Sequence, residues 1–299
     1  AVVADPEDTE LNQAWLRYKN EQTTVTLGRQ RLVLDNVRFV GDVGWRQNQQ
    51  TFDAVVVQDK SLDKTVVTYA YLNQINRIFG DRHAQGRWDS NSHLFNAKYT
   101  GLTGGALTGY AYLLDFDNAA ANSCATYGAS FDGKTRINDE VNFTYRLEYA
   151  GQSDYGSNPL SYRANYTLAV AGFSGKPGSL SLGHETLGSD RAVGFKTPLA
   201  TLHAFNGWAD QYLGTPSTGL RDTFVKATAK LPGKVALLAF FHSYDADTTS
   251  ASLGHEWDVQ ISRKFGNNIS GVIKYADFTS DLTAGPKVRK IWLQIQYAL

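Results

Sequence analysis

The chain has 299 residues with 29 basic and 29 acidic side chains, so its formal net charge is zero, which argues against nucleic acid as a partner. Only 19% of residues are charged, below the ~25% of ordinary soluble domains, and 27 Gly, 16 Tyr, 15 Phe and 6 Trp accompany 7 Pro, no Met and a lone Cys124. No window approaches the roughly 18 consecutive apolar residues of a membrane helix, and one cysteine excludes an intramolecular disulfide.

The opening AVVADPEDTEL has neither Met nor a basic stretch and reads as a mature or shortened chain. From there a period of two predicts about fifteen strands, near 10–19, 22–31, 49–59, 64–75, 92–100, 105–115, 123–132, 139–150, 159–173, 178–188, 218–231, 234–245, 253–265, 268–278 and 287–299. They exceed the ~5–6 residues usual in soluble sheets and match the ~9–11 that a tilted strand needs to cross a bilayer.

The first strands place Arg17 and Lys19 on the polar face. Arg29 and Arg31 share parity with Val25 and Leu27, so either they stand at the extracellular rim or a bulge near Gly28 turns them inward. The clearest segment is Val141–Tyr149. Val141, Phe143, Tyr145, Leu147 and Tyr149 alternate there with Asn142, Thr144, Arg146 and Glu148, which gives one apolar and one charged face. The same rule sets Tyr162, Ala164, Tyr166, Leu168 and Val170 against Arg163, Asn165 and Thr167. It sets Trp257, Val259 and Ile261 against Glu256, Asp258 and Gln260, and Ile291, Leu293, Ile295 and Tyr297 against Lys290, Trp292 and Gln294.

Short connections (19–22, 61–64, 102–105, 174–178, 231–234, 265–268) alternate with long ones near 32–48, 76–91, 151–158, 189–217 and 279–286. That is the pattern of an outer-membrane barrel with periplasmic turns and extracellular loops. The expected fold is therefore all-β, an antiparallel transmembrane β-barrel forming one domain over 1–299, in the bacterial outer membrane. An odd strand count does not close such a barrel. Either one or three N-terminal strands precede this sequence, with roughly 16–18 in the complete protein, or one hairpin is miscounted.

With these faces, the pore lining is expected to include Arg17, Lys19, Arg146, Arg163, Lys226, Lys274 and Lys290 against Glu148, Asp222, Glu256 and Asp258, with Arg29 and Arg31 at its mouth. The basic excess favours an anionic or sugar-like solute; the plainer reading is cross-strand ion pairing. The segment 189–217 carries Phe195, Leu199, Leu202, Phe205, Trp208, Tyr212 and Leu213, awkward in a free loop. It is expected to fold into or over the pore and offer His203, Asn206 and Asp210 to solute, or else to pack on itself. Trp208 and Trp292 offer flat faces for stacking a sugar.

Catalytic motifs are weak. Gly183-His-Glu185 and Gly254-His-Glu256 do not continue as a zinc-protease helix, no nucleophile elbow occurs, and neither cofactor nor metal is expected. Asp115/Asp117 and Asp245/Asp247 are read as turn aspartates rather than Ca²⁺ ligands.

The stretches Thr26–Arg31, Asp35–Asp42 and Trp45–Asn48, with Phe195–Asp210 and Thr215–Gly219, resemble the alginate-export family of outer-membrane barrels, and Lys290–Leu299 resembles a barrel-insertion signal. The resemblance covers essentially the whole chain. It implies a monomeric barrel of about eighteen strands that passes polysaccharide or smaller solutes, and segments preceding Ala1. Alginate secretion pores have a strongly basic lumen, whereas this chain is neutral, so uptake of small solutes is preferred to export of an anionic polysaccharide. Two readings from other classes stay open. One is a soluble carbohydrate-active β-sandwich enzyme, whose apolar faces would be a dry core; the other is a plugged adhesion or assembly barrel.

Overall fold

The computed structural model describes residues 9–45 and 48–298. Arg46, Gln47 and Leu299, which fall in the stretches singled out above, lie outside the described residues, as do residues 1–8.

Fifteen long strands follow chain order in one antiparallel sheet. They are β1 (Ala14–Lys19), β2 (Thr23–Gln30), β3 (Thr51–Asp59), β4 (Thr65–Asn76), β5 (Arg87–Tyr99), β6 (Gly105–Leu114), β7 (Cys124–Arg136), β8 (Val141–Ser153), β9 (Arg163–Gly175) and β10 (Gly178–Leu187), then β13 (Leu220–Leu231), β14 (Val235–Asp245), β15 (Ser252–Phe265), β16 (Ile269–Ser280) and β17 (Lys287–Tyr297). The two-residue strands β11 (Ser189–Asp190) and β12 (Val193–Gly194) pair only with each other inside the long β10–β13 connection. Connections alternate as expected: 20–22, 60–64, 100–104, 137–140, 176–177, 232–234 and 266–268 are short, and those between them are longer. No helix among the described residues is long and apolar enough to cross a membrane, which says nothing of crossing by strands.

The chain forms two compact units. The first comprises residues up to Phe131 with Tyr149–Asn165 and Phe195–Phe205; the second comprises Asp132–Glu148, Tyr166–Gly194 and Asn206–Leu299.

In the first unit the connection after β2 lies beside residues 195–205. Val40 forms a parallel bridge with Leu199, Gly41 N–H donates to Leu199 O at 2.9 Å, and Thr201 N–H donates to Val37 O at 3.1 Å. Gln50 Nε2 adds bonds to Gly41 O and Leu199 O. Phe39 anchors the pair, with its ring 5.3 Å from Tyr110 and 6.0 Å from Phe195. Backbone polar groups away from water need such partners, and the interlock supplies them. At Gly28 (φ 117°) the β1–β2 ladder runs in register, Trp15 opposite Gly28, and a Cβ there would stand 2.4 Å from Ala14 O. The bulges fall elsewhere, at Asp53/Ala54 and Leu72/Gln74. Arg29 therefore keeps outward parity at the end of β2, where Asp53 receives its Nε at 2.8 Å and its Nη2 at 3.0 Å. Arg31 is exposed and bonds Asp42. No bulge near Gly28 turns Arg29 inward, and Arg31 lies past the end of β2.

In the second unit alternate residues divide cleanly. Ile291, Leu293 and Ile295 are 70%, 78% and 84% exposed, and Leu180, Leu182, Val225 and Trp257 are likewise outward, while Glu185, Asp222, Glu256 and Asp258 are buried on the other face. An apolar face this open on successive strands has no dry layer against it, which is what a lipid-facing surface requires and what a β-sandwich forbids.

One strand reverses its predicted faces. Tyr162, Ala164, Tyr166 and Leu168 are buried, and Arg163, Asn165 and Thr167 are exposed. Tyr162 Oη donates to Gln152 Oε1 at 3.0 Å, and Tyr166 Oη donates to Glu185 Oε1 at 2.7 Å. Arg163 is thus outward and does not join the inward charges. The physical reason is that the tyrosines keep their hydroxyls satisfied on the inward side, so an aromatic stripe there does not mark lipid.

Candidate functional site

The densest polar cluster lies on the inward face of β10 and β13–β17 in the second unit, beneath the turn Asn206–Asp210. Strand register builds it. Glu185 stands opposite Asp222, His242 opposite Glu256, and Gln260 opposite Lys274, which in turn faces Trp292. Each strand contributes alternate residues to this wall because successive side chains point to opposite sides.

The turn is held by side chains of the wall. Asn206 Nδ2 donates to Glu185 Oε2 at 2.7 Å and to Asp222 Oδ2 at 3.1 Å. Trp208 N–H donates to Asp258 Oδ2 at 3.0 Å, and Ala209 N–H to Glu256 Oε1 at 2.5 Å. Lys290 Nζ reaches Ala209 O at 2.5 Å and Asp210 Oδ2 at 3.2 Å. Lys274 Nζ lies 3.7 Å from the centroid of the Trp208 ring, a cation–π contact. Beneath the turn, His242 Nδ1 stands 2.9 Å from Asp222 Oδ1, and Tyr244 Oη donates to Glu256 Oε2 at 3.5 Å. Buried carboxylates persist only when paired or hydrogen-bonded, and each of these four accepts from at least one of these donors.

Backbone geometry fits the turn to the wall. Asn206 (φ 52°), Gly207 (φ 84°) and Asp210 (φ 57°) are left-handed. A Cβ on Gly207 would meet Tyr244 Oη at 2.3 Å and Glu256 Oε2 at 2.4 Å, so glycine is required there. Tyr212 follows with its ring 4.7 Å from Tyr244 and 5.9 Å from Phe278. Burial, reinforced by the charges of Glu256 and Asp222, holds its phenol above the ordinary range.

Elsewhere on inward faces, Arg146 bonds Asp132 Oδ1 at 2.7 Å and Glu148 Oε2 at 2.9 Å, both within the second unit. Lys226 lies 5.3 Å from the centroid of the Phe240 ring and, among the described residues, has no carboxylate within ion-pair distance. It borders a 460 Å³ recess whose other polar lining includes Ser179, Thr228, Gln260 and Ser262. In the first unit, Arg17 Nε donates to Thr26 Oγ1 at 3.0 Å, and Lys19 stands opposite Thr24. His203 is buried and stacks on Trp45 at 5.6 Å. The segment 195–205 is tied to the buried Gln152, whose Nε2 donates to Lys196 O at 2.8 Å. Burial also pulls the Lys196 ammonium below its usual value.

The structure thus gathers Asp222, Glu256, Asp258, Lys274, Lys290, Trp292, Asn206, Trp208 and Asp210 in one cluster. It sets Arg146 with Glu148 on a separate pair, leaves Arg17, Lys19, Arg29, Arg31 and His203 in the first unit, and turns Arg163 outward. His242, Tyr244, Tyr166 and Glu185 are members that the sequence reading missed. Their signal was parity: His242 and Tyr244 share a face with Phe240, and both Gly-His-Glu tripeptides put the glutamate inward and the histidine outward. Asp115 serves a structural contact, receiving Ser157 N–H at 2.9 Å and Ser157 Oγ at 2.7 Å.

Similarity to known proteins agrees with this architecture. No curated protein matches significantly in sequence. Acinetobacter baumannii OccAB4 superposes with a TM-score of 0.76 at 13% identity, covering 95% of this chain and 73% of that one. A. baumannii OccAB2 gives 0.75 at 16% identity, covering 94% and 75%. Pseudomonas aeruginosa OpdK, in a structure with vanillate, gives 0.74 at 13%, covering 94% and 77%. These are outer-membrane porins, and the likeness establishes the fold of a transmembrane β-barrel. The family model described as "Alginate export" matches residues 2–176, more than half of the chain. With its strands two-faced and its inward faces charged, the chain belongs to the alginate export family and is an outer-membrane β-barrel.

Proposed function

We propose that this channel passes small solutes passively, as a monomer, and that carboxylate-bearing solutes, including ring-containing ones, are its favoured class. The observation that carries the preference is the unequal state of the inward charges in the second unit. Glu185, Asp222, Glu256 and Asp258 are buried and engaged by the Asn206–Asp210 turn or its neighbours. Lys226 is only half-buried and has no carboxylate partner among the described residues. A fixed positive charge left over on a wall attracts anions, and Trp292 beside Lys274 and Lys290 adds a flat apolar surface. The vanillate in the OpdK structure, an aromatic carboxylate, is a solute of this class. No catalytic step belongs to this reading.

Liposome swelling with solutes of matched size tests it. Benzoate is expected to enter faster than benzyl alcohol, and benzylamine slowest; Lys226→Glu is expected to narrow the difference several-fold. Equal entry of all three would overturn the preference.

A further inference from the structure

The outward face of the first unit carries a polar notch at the end of β8 and the start of β9. A groove of 390 Å³ is lined by Tyr127, Tyr149, Gly151, Ser153, Arg163 and Asn165, among others. Tyr127 and Tyr149 are 57% and 56% exposed and form its aromatic walls. Gly151 leaves it open, since a Cβ there would meet nothing nearer than Asn165 Oδ1 at 3.9 Å. Tyr149 Oη donates to Asn165 Oδ1 at 3.1 Å. The contact uses the amide oxygen of Asn165, two residues from the exposed Arg163 on the same face. Arg163 stands on the exposed face, while its neighbours Tyr162 and Ala164 are buried on the other.

Height on the strand decides what meets this groove. β9 has 13 residues; at ~3.3 Å per residue and ~40° tilt it rises about 33 Å, more than the ~25 Å apolar band of such barrels. A strand of this length centred on that band carries its first residues past the hydrocarbon on the side of the long loops, which faces the cell exterior in such barrels. A guanidinium facing lipid deeper down costs a few kcal/mol; at headgroup level it meets anionic lipid instead. A planar fork with five donors matches a phosphate bidentately and retains donors for other partners.

We propose that Tyr127, Tyr149, Arg163 and Asn165 form a docking site for a phosphorylated glycolipid of the outer leaflet. The phosphate lies on the Arg163 guanidinium and the Asn165 amide, and an acyl chain or sugar lies against the two tyrosine rings. The site is independent of solute passage.

The test is native mass spectrometry of the full chain in detergent, titrated with bis-phosphorylated lipid A, the same lipid dephosphorylated, and inorganic phosphate. The phosphorylated lipid is expected to bind at least tenfold more tightly than the dephosphorylated one, and inorganic phosphate at equal concentration is expected not to displace it. Arg163→Glu is expected to abolish the tenfold preference and Arg163→Lys to retain part of it. Equal binding of both lipids, displacement by inorganic phosphate, or an undiminished preference in a folded Arg163→Glu protein would overturn the proposal. Solute entry into liposomes, measured on the same samples, reports separately on the channel.

Discussion

The two units fill their inward faces by different physics. In the first, residues 31–45 and 195–205 hold each other through backbone bonds such as Gly41 N–H to Leu199 O and through a core of Phe39, Val40, Phe195 and Leu199. In the second, Asn206–Asp210 buries Trp208 and Ala209 but is held to the wall by carboxylates and two lysines. The first is a small hydrophobic core placed on a sheet; the second is a polar network whose members lose most when one partner is removed. On the proposed reading, charge available to a solute is accordingly a property of the second region's wall.

Substitutions sharpen that contrast, and the largest effect is expected at Gly207. Gly207→Val adds a Cβ within 2.4 Å of two wall oxygens at a left-handed φ, so the turn must leave the wall at a cost of roughly 4 kcal/mol. A clear rise in single-channel conductance should accompany a lower unfolding midpoint; unchanged conductance would mean that the turn does not limit flow. Phe39→Ala in the first unit should cost about 3 kcal/mol through cavity formation and leave ion selectivity as it was. A shift in reversal potential for that variant would contradict the division of roles. Asp210→Asn removes the ion pair to Lys290 but keeps the bond from Lys290 to Ala209 O, so about 1 kcal/mol should be lost, visible as added current noise. Arg163→Ala should be the mildest, leaving the selectivity between benzoate and benzylamine unaltered, because the side chain is outward.

Much of this fold could be read from alternation alone. In β8, β15 and β17 the polar-face residues Arg146, Glu148, Glu256, Asp258 and Lys290 are inward, and Leu147, Tyr149, Trp257 and Leu293 are outward. β9 defeated the rule because Tyr162 and Tyr166 serve as inward hydrogen-bond donors, and an amphipathic aromatic ring fits lipid or a satisfied interior equally well. That segment 189–217 is packed rather than free was legible from its aromatic content, with Phe195, Leu199 and Trp208 buried. Its interlock with 31–45 was not, since the bonds from Gly41 to Leu199 and from Thr201 to Val37 are between backbone atoms and leave no trace in residue type.

Neighbouring positions in β13 offer the most direct test that each strand has one face toward hydrocarbon and the other toward solute. Val225 and Lys226 are adjacent, and the native Cys124 is buried, so single cysteines can be introduced at either site and labelled in proteoliposomes. Lys226→Cys should react with a water-soluble, membrane-impermeant thiol reagent, and Val225→Cys only with a lipid-soluble one. Equal reactivity of both positions toward the water-soluble reagent would contradict the account.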